Sequence, residues 1–468
     1  MSPSIARALL IFAVWALPSV FFYWDWDAGG VRALILIGWG ALLWEALRLA
    51  PRLSITGART VPGVLPVVCA CLLLAQGALG ASSVSWTAHH QKIRLDQGQN
   101  TYRAVRTLLR GRSPYGRGVV LDLVAYRARV ALRREAGFPP PPPEAAIHRY
   151  WETLDDHDRD RLLPSLAAPS PEAQREAALL GYKYGPADVL AALPLVLLFG
   201  QAGIPLLNLL CLLALAPAVF FLLRAASVSA FGYWLGLALV LADPHLAWSC
   251  LYLSATDIRV IVPLVLALRA FNRQRSIAVG IWLGLAVGVK TVPGVLFLPL
   301  LLGTSWAGAL ACLTVVVVLF VPFVVWDGPG VLHNLVLWGL ERTTDSTSWM
   351  HRAPSAAVLS GRAALLAAGA LLVWRLVRRS RAGSPEHFRD LALLNGVAML
   401  GSGMFHNDYL PWVTFLISGA LMASFFPLRG ATSALAAKDT KTAPDERRGV
   451  AHPPAPAPPG STALRRPL

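Results

Sequence analysis

Long, nearly uncharged apolar runs recur along this chain and constrain its fold more than any other feature. They fall at 5–23, 30–47, 61–80, 187–201, 205–223, 231–248, 256–272, 276–302, 306–326, 354–376, 388–405 and 409–427. Many approach the roughly 20 residues that a helix needs to cross a hydrocarbon core. Backbone N–H and C=O groups find no water there, so such runs fold as helices, which satisfy those groups internally. The expectation is an all-α polytopic membrane protein with a bundle of about 12 transmembrane helices (range about 11–13). Composition agrees: 55% of the 468 residues are hydrophobic, 15% are charged, and the mean hydropathy is +0.54, beyond the range of a soluble protein of this size. The run at 5–23 resembles a signal peptide. It lacks a small-residue cleavage site and another span follows, so it reads as a retained anchor.

The net charge is +16. In a polytopic protein such charge sets topology or meets anionic lipid, and no nucleic-acid partner is expected. The loop with Arg48, Arg52 and Arg59, the stretch "WRLVRRSR" (Trp374–Arg381) and the tail beyond Arg429 are assigned to the cytoplasm. The assignment puts both termini in the cytoplasm and the loops Trp326–Arg352 and His406–Asp408 outside. Four regions follow: N-terminal transmembrane helices at 1–80, an extracytoplasmic loop at 81–186, a transmembrane core at 187–428 and a disordered cytoplasmic tail at 429–468. Two places resist. The run 187–200 is short for a span, and "FNRQR" (Phe271–Arg275) falls outside against the positive-inside tendency. Making 187–200 re-entrant and breaking the chain near Lys290 returns FNRQR to the cytoplasm and leaves every later loop on its side.

Within the outer loop, "FPPPPPE" (Phe138–Glu144) reads as a stiff polyproline spacer. "WETLDDHDRDR" (Trp151–Arg161) reads as a solvated helix, without the glycine and terminal glutamate of an EF-hand. The five cysteines, Cys69, Cys71, Cys211, Cys250 and Cys312, have no zinc-site spacing and read as small buried residues.

Several polar residues are candidates for chemistry. Asp96 precedes a helical pattern in which Tyr102, Ala104 and Leu108 share one side and Arg103, Arg106 and Arg110 another, as on an interfacial helix. Asp96 is either that helix's N-cap or a functional carboxylate. Lys183 and Tyr184 lie where the chain returns to the membrane at "GYKYGPADVL" (Gly181–Leu190), as an interfacial anchor or as phosphate ligands. Asp257 and Arg259 head an apolar run. Lys290 sits inside another, where an ammonium costs a few kcal/mol unless it meets an anion or water. It is either a ligand or a residue that reaches water through a helix break at Pro293. His406, Asp408 and Tyr409 form either a polar turn or part of a site.

The order of these pieces is more specific than any one of them. An acid precedes "Y..A..LL.G.SPY", the outer loop ends in "Y.YGP", an Asp-headed span follows, then a "GLAVGVK..P" span and a late "H..Y" turn. Over about 90 to 427 the chain resembles the GT-C superfamily of membrane glycosyltransferases that use polyprenyl-phosphate sugars, and it is most like glycosyltransferase family 87. The family's usual Tyr-Pro-Pro is here Tyr184-Gly185-Pro186. The spacing from Asp96 to Tyr102 is slightly longer than usual, and the apolar runs ahead of the loop imply an extra N-terminal hairpin.

The resemblance implies a GT-C-like bundle whose extracytoplasmic loop carries interfacial helices. It also implies Asp96 as catalytic base, with Tyr102, Arg103, Arg106, Lys183, Tyr184, Asp257, Arg259, Lys290, His406, Asp408 and Tyr409 as substrate-binding residues. Its implied substrates are a polyprenyl-phosphate sugar (hexose, such as mannose, or pentose) and an envelope lipid or glycan acceptor, among membrane lipids. The expected reaction is an inverting displacement with no cofactor and no required metal. Asp122 is a second acid at hand. The alternatives are a transporter or flippase of a lipid-linked or anionic solute, or a non-catalytic envelope-assembly protein.

Overall fold

The computed structural model describes residues 63–115, 182–337, 355–378, 384–401 and 411–427, with scattered positions within 7–48 and 120–148. The proline run, Trp151–Arg161, Asp122, the His406–Tyr409 turn and the 429–468 tail lie outside the described residues.

Helix α1 (Val64–His90) continues past the Gly80 boundary. Its buried positions are Cys69, Gln76, Gly80, Ser83 and Thr87, while Val64, Val67 and Leu74 face outward. That inside-out pattern suits lipid, where small and polar residues form the protein-facing seam. Cys69, Gln76 and Ser83, seven residues apart, donate in turn to the carbonyls of Trp234, Leu241 and Tyr252. These rising numbers on both sides set α5 (Ala230–Leu241) and the π-turn Leu246–Tyr252 parallel to α1. The end of the bundle at which α1 terminates is called the upper end below.

Helix α2 (Asp96–Leu109) follows α1. Leu95, not Asp96, occupies its N-cap, and Asp96 is the first helical residue, so the capping reading is corrected. A carboxylate there still suits the helix dipole. The side chain of Asp96 lies outside the described residues.

Helix α3 (Pro186–Phe199) does not cross the bundle. At about 1.5 Å per residue it is near 21 Å long, short of a 30 Å core. A Cβ on Gly203 would overlap the Leu195 carbonyl, eight residues back. In a straight helix those positions are about 12 Å apart, so the chain folds sharply at Gly200–Ala202 before α4 (Gly203–Ala225) begins. The starts of α3 and α4 both lie by α2: Asp188 meets Thr101, and Ile204 packs where a Cβ on Gly98 would fall. The span expected at 187–201 is therefore a re-entrant element, and the alternative topology holds at this point.

It holds again at Lys290. Helix α6 (Asp257–Asn272) descends from the upper end, and α7 (Ser276–Val289) climbs back. At Lys290 the backbone becomes extended, with φ −143° and ψ 111°. The chain then descends through α8 (Thr291–Leu296) and the 3-10 turn Leu298–Gly303. Gly294 sits against Ala286–Val287 of α7, and Gly303 against Phe271 at the foot of α6. The run read as one span at 276–302 is two antiparallel segments. Helix α9 (Trp306–Leu332) rises parallel to α7, with Gly280, Gly284 and Gly288 meeting Gly308, Cys312 and Leu319. The bundle continues with α10 (Ser355–Arg378), α11 (Pro385–Gly401) and α12 (Pro411–Phe425), which starts beside Asp257 and ends beside Ser229.

Among the described residues, four helical stretches are long and apolar enough to cross a membrane, or five if α5 and the bent π-turn count as one. One of the four is α3 with α4. The molecule is a helical, polytopic membrane protein; the small exception is a two-residue pair of antiparallel strands, β1 (Val120–Leu121) and β2 (Ile147–His148).

Candidate active site

The upper end collects charged side chains that the sequence scatters through apolar runs. The chain returns to the membrane through Tyr182–Gly185. Gly185 is required there, because a Cβ would overlap the Gly288 carbonyl of α7, and its N–H donates to the Val289 carbonyl at 3.0 Å. Pro186 follows at the start of α3, where its missing N–H costs nothing.

One turn later lies Asp188, fully buried. A buried carboxylate persists only when paired and hydrogen-bonded. Asp188 accepts from the Thr101 hydroxyl of α2 and from the Tyr182 phenol, both at 2.8 Å, and forms an ion pair with Arg259 of α6 at 2.8 Å. Arg259 Nε donates to Asn208 Oδ1 of α4 at 2.7 Å, and the Asn208 amide donates to the carbonyls of Cys250 and Ala255. Burial first, then the charge of Asp188, pushes the Tyr182 hydroxyl well above the usual phenol range, so it stays protonated and donates. The same causes raise Tyr115 of the "SPY" motif, which donates to the Tyr184 carbonyl at 2.8 Å. Tyr115 also packs on Tyr182 and Phe323, and its carbonyl accepts from Asn334.

A second ion pair lies on the other side of the return loop. The Lys290 ammonium, at the turn between α7 and α8, meets Asp257 Oδ1 at 2.6 Å. Trp412 Nε1 of α12 donates to the same oxygen at 2.6 Å. The ammonium also lies over the Tyr184 and Trp412 rings, 5.5 and 5.0 Å from their centroids. The Lys290 side chain is 11% exposed, at the position where the backbone becomes extended.

The first turn of α2 joins this region through Gln97, whose Oε1 accepts from the Thr256 N–H and hydroxyl, each at 3.2 Å. The backbone of Asp96 is therefore adjacent to the head of α6. Of the candidates on α2, Arg106 is exposed and donates to the half-buried Tyr102 hydroxyl at 3.0 Å. Arg103 is buried with Ala104 and Val105, and does not share an outward face with Arg106 and Arg110. The helix turns that side inward because Thr101 and Val105 bind the core. Lys183 is half-buried in the return loop. Tyr184, Asp257 and Lys290 come together, and Arg259 joins the neighbouring Asp188 network. His406, Asp408 and Tyr409 lie outside the described residues.

Residues 182–403 match the model of Glycosyltransferase family 87. The matched segment, just under half of the chain, is similar to that family. It opens at Tyr182 of the return loop and includes Asp188, Asp257, Arg259 and Lys290; α1 and α2 precede it. The match indicates a membrane glycosyltransferase, in agreement with the order of the motifs. A comparison with curated proteins found no match.

Asp188, Asn208 and Trp412 were missed by residue-level reasoning. Asp188 and Asn208 carried the same signal that exposed Lys290, a polar group within an apolar run. Trp412 carried none, since tryptophan is ordinary at the head of a membrane helix.

Proposed function

We propose that this protein is a glycosyltransferase that moves a hexose, such as mannose, or a pentose from a polyprenyl-phosphate donor to an envelope lipid or glycan acceptor on the extracytoplasmic face. What supports this reading is the convergence of Lys290, Asp257 and Arg259 on Tyr182–Gly185, at the end of the bundle that carries α2. A polyprenyl-phosphate donor keeps its tail in the bilayer and its sugar at the surface, so its reacting bond belongs at such an end. The leaving group is a lipid phosphate whose charge grows as the glycosidic bond breaks. Fixed cations stabilise that charge without reorganising, and Lys290 is the leading donor-phosphate ligand, with Lys183 of the return loop and Arg106 of α2 as further cations. Asp257 holds the ammonium in place until phosphate replaces it as partner. A phosphate monoester can be met by lysine and arginine, so the proposed chemistry needs no metal.

Asp96 is proposed as the base. It removes the proton of the acceptor hydroxyl as the oxygen attacks the anomeric carbon, and displacement from the face opposite the phosphate inverts that centre. Asp408 and His406 remain candidate substrate contacts. The extracytoplasmic assignment draws on the lower end of the bundle, where short connections carry Arg224, Arg269, Arg273, Arg275, Arg375 and Arg378. Short loops obey the positive-inside tendency; the long loop at the upper end is largely exempt from it. Both termini are then cytoplasmic.

Purified protein supplied with radiolabelled polyprenyl-phosphate sugars and envelope acceptors should form labelled product. Asp96→Asn should keep its fold and donor binding while transfer falls about 100-fold or more. Transfer within a few-fold of wild type would reject Asp96 as base. Failure of the wild type with every polyprenyl-phosphate sugar, alongside activity with a nucleotide sugar, would reject the donor class.

A further inference from the structure

The junction between α1 and α2 carries a group of flat side chains that the proposed reaction does not use. Helix α1 ends in Trp86, His89 and His90 and is closed by Gln91 in the left-handed region, φ 49°. The chain then turns back through Lys92 and Ile93, and the Arg94 guanidinium slots between two rings. It lies 4.1 Å from the Trp86 centroid and 4.0 Å from that of Tyr252. Trp86 stacks on His90 at 4.6 Å, and Tyr252 stacks on Trp248, also at 4.6 Å. Five flat groups therefore form one column: His90, Trp86, Arg94, Tyr252, Trp248. His90 and Trp248 are exposed at its two ends.

This packing decides what Arg94 can bind. With a ring on each face, the guanidinium can accept a partner only in its own plane, where its N–H groups point. Nη1 donates to the Tyr252 carbonyl at 3.3 Å; among the described residues that is its one hydrogen-bond acceptor. Arg94 remains half-buried, so part of the group reaches the surface. A planar fork held rigid in this way matches the paired oxygens of a phosphate. The exposed Lys92 adds positive charge beside it.

The depth of the column selects the phosphate. It caps a transmembrane helix, at the level where tryptophan and tyrosine line the headgroup zone. Below it, within about one leaflet's depth, α1 presents the exposed apolar side chains Ala81, Ala78 and Leu74 to lipid. A headgroup at Arg94 would lay its acyl chains along that face, which a free anion does not have. We propose that the Arg94 column is a headgroup site for an anionic phospholipid in the leaflet next to the candidate active site, separate from the donor site at Lys290. Its occupant ties the α1–α2 junction to the bilayer surface, two residues ahead of Asp96. The binding site does not depend on the proposed reaction, and its test reads no transfer.

The test uses the full chain in nanodiscs of phosphatidylcholine, with or without phosphatidylglycerol, read by thermal unfolding and by native mass spectrometry of retained lipid. Phosphatidylglycerol should raise the unfolding midpoint and be retained over phosphatidylcholine, with the rise shrinking as salt increases. Arg94→Gln should lose most of the rise and at least about fivefold in relative retention, the order expected for one basic residue at an anionic surface. Arg94→Lys, which keeps the charge without the fork, should also lose retention. If Arg94→Gln does not fold, Lys92→Gln replaces it and should lower retention by a smaller factor. Three results would overturn the proposal: no preference by the wild type, an undiminished preference in the folded Arg94 variants (or in Lys92→Gln where it replaces them), or an equal rise from inorganic phosphate added to phosphatidylcholine discs.

Discussion

Asp188 shows how a single buried charge organises its surroundings. Its carboxylate takes bonds from α2, the return loop and α6, and Arg259 carries the contact on to α4. Removing one member of such a pair leaves the other buried and uncompensated, which costs about 3–5 kcal/mol. Asp188→Asn should therefore lower the thermal unfolding midpoint strongly, and adding Arg259→Met should recover much of the loss. Equal losses in the single and double variants would show that the two charges are not coupled. Lys290 differs because its side chain is 11% exposed. Lys290→Met, assayed below its unfolding transition, should weaken binding of a polyprenyl-phosphate sugar. Normal donor affinity with lowered stability would make Lys290 a structural anchor, and its pairing with Asp257 would be its whole role.

At the scale of elements, the pairing of α7 with α9 depends on small residues. Gly280, Gly284 and Gly288 recur every fourth position and let the two backbones approach. A Cβ at Gly280 would overlap the Gly308 carbonyl, whereas one at Gly77 of α1 meets nothing within 4 Å. Gly280→Ala should destabilise by about 1–3 kcal/mol, as overpacking does. Gly77→Ala should be neutral or slightly stabilising, since alanine favours helix over glycine. Similar unfolding midpoints for the two variants would argue against close α7–α9 contact. The return loop follows the same steric rule: Gly185, which has no Cβ, admits the α7 backbone.

For the whole molecule, the folds at Gly200 and Lys290 put FNRQR at the end opposite the return loop, together with Arg224 and Arg375–Arg378. Single cysteines placed at Arg52, Arg273 and Ser380 should resist an impermeant thiol reagent in intact cells, and one at Ser170 should react. Labelling of Arg273→Cys from outside would invert the proposed sidedness or undo the fold at Lys290. The sequence alone determined that the chain is helical and membrane-embedded, because the transfer free energy of each apolar run depends only on its residues. It also exposed Lys290, Asp257 and Arg259, since a charge among apolar neighbours signals that some partner exists. Direction and partnership were decided by the tertiary structure. Hydropathy is unchanged when a run bends back on itself, so the fold within Pro186–Ala225 and the reversal at Lys290 were invisible as such. Arg259 finds Asp188 71 residues away, and Lys290 finds Asp257 33 residues away. Nothing local ties those partners together; they meet because helix packing brings them to one end, where neither charge can remain in a low-dielectric interior without the other.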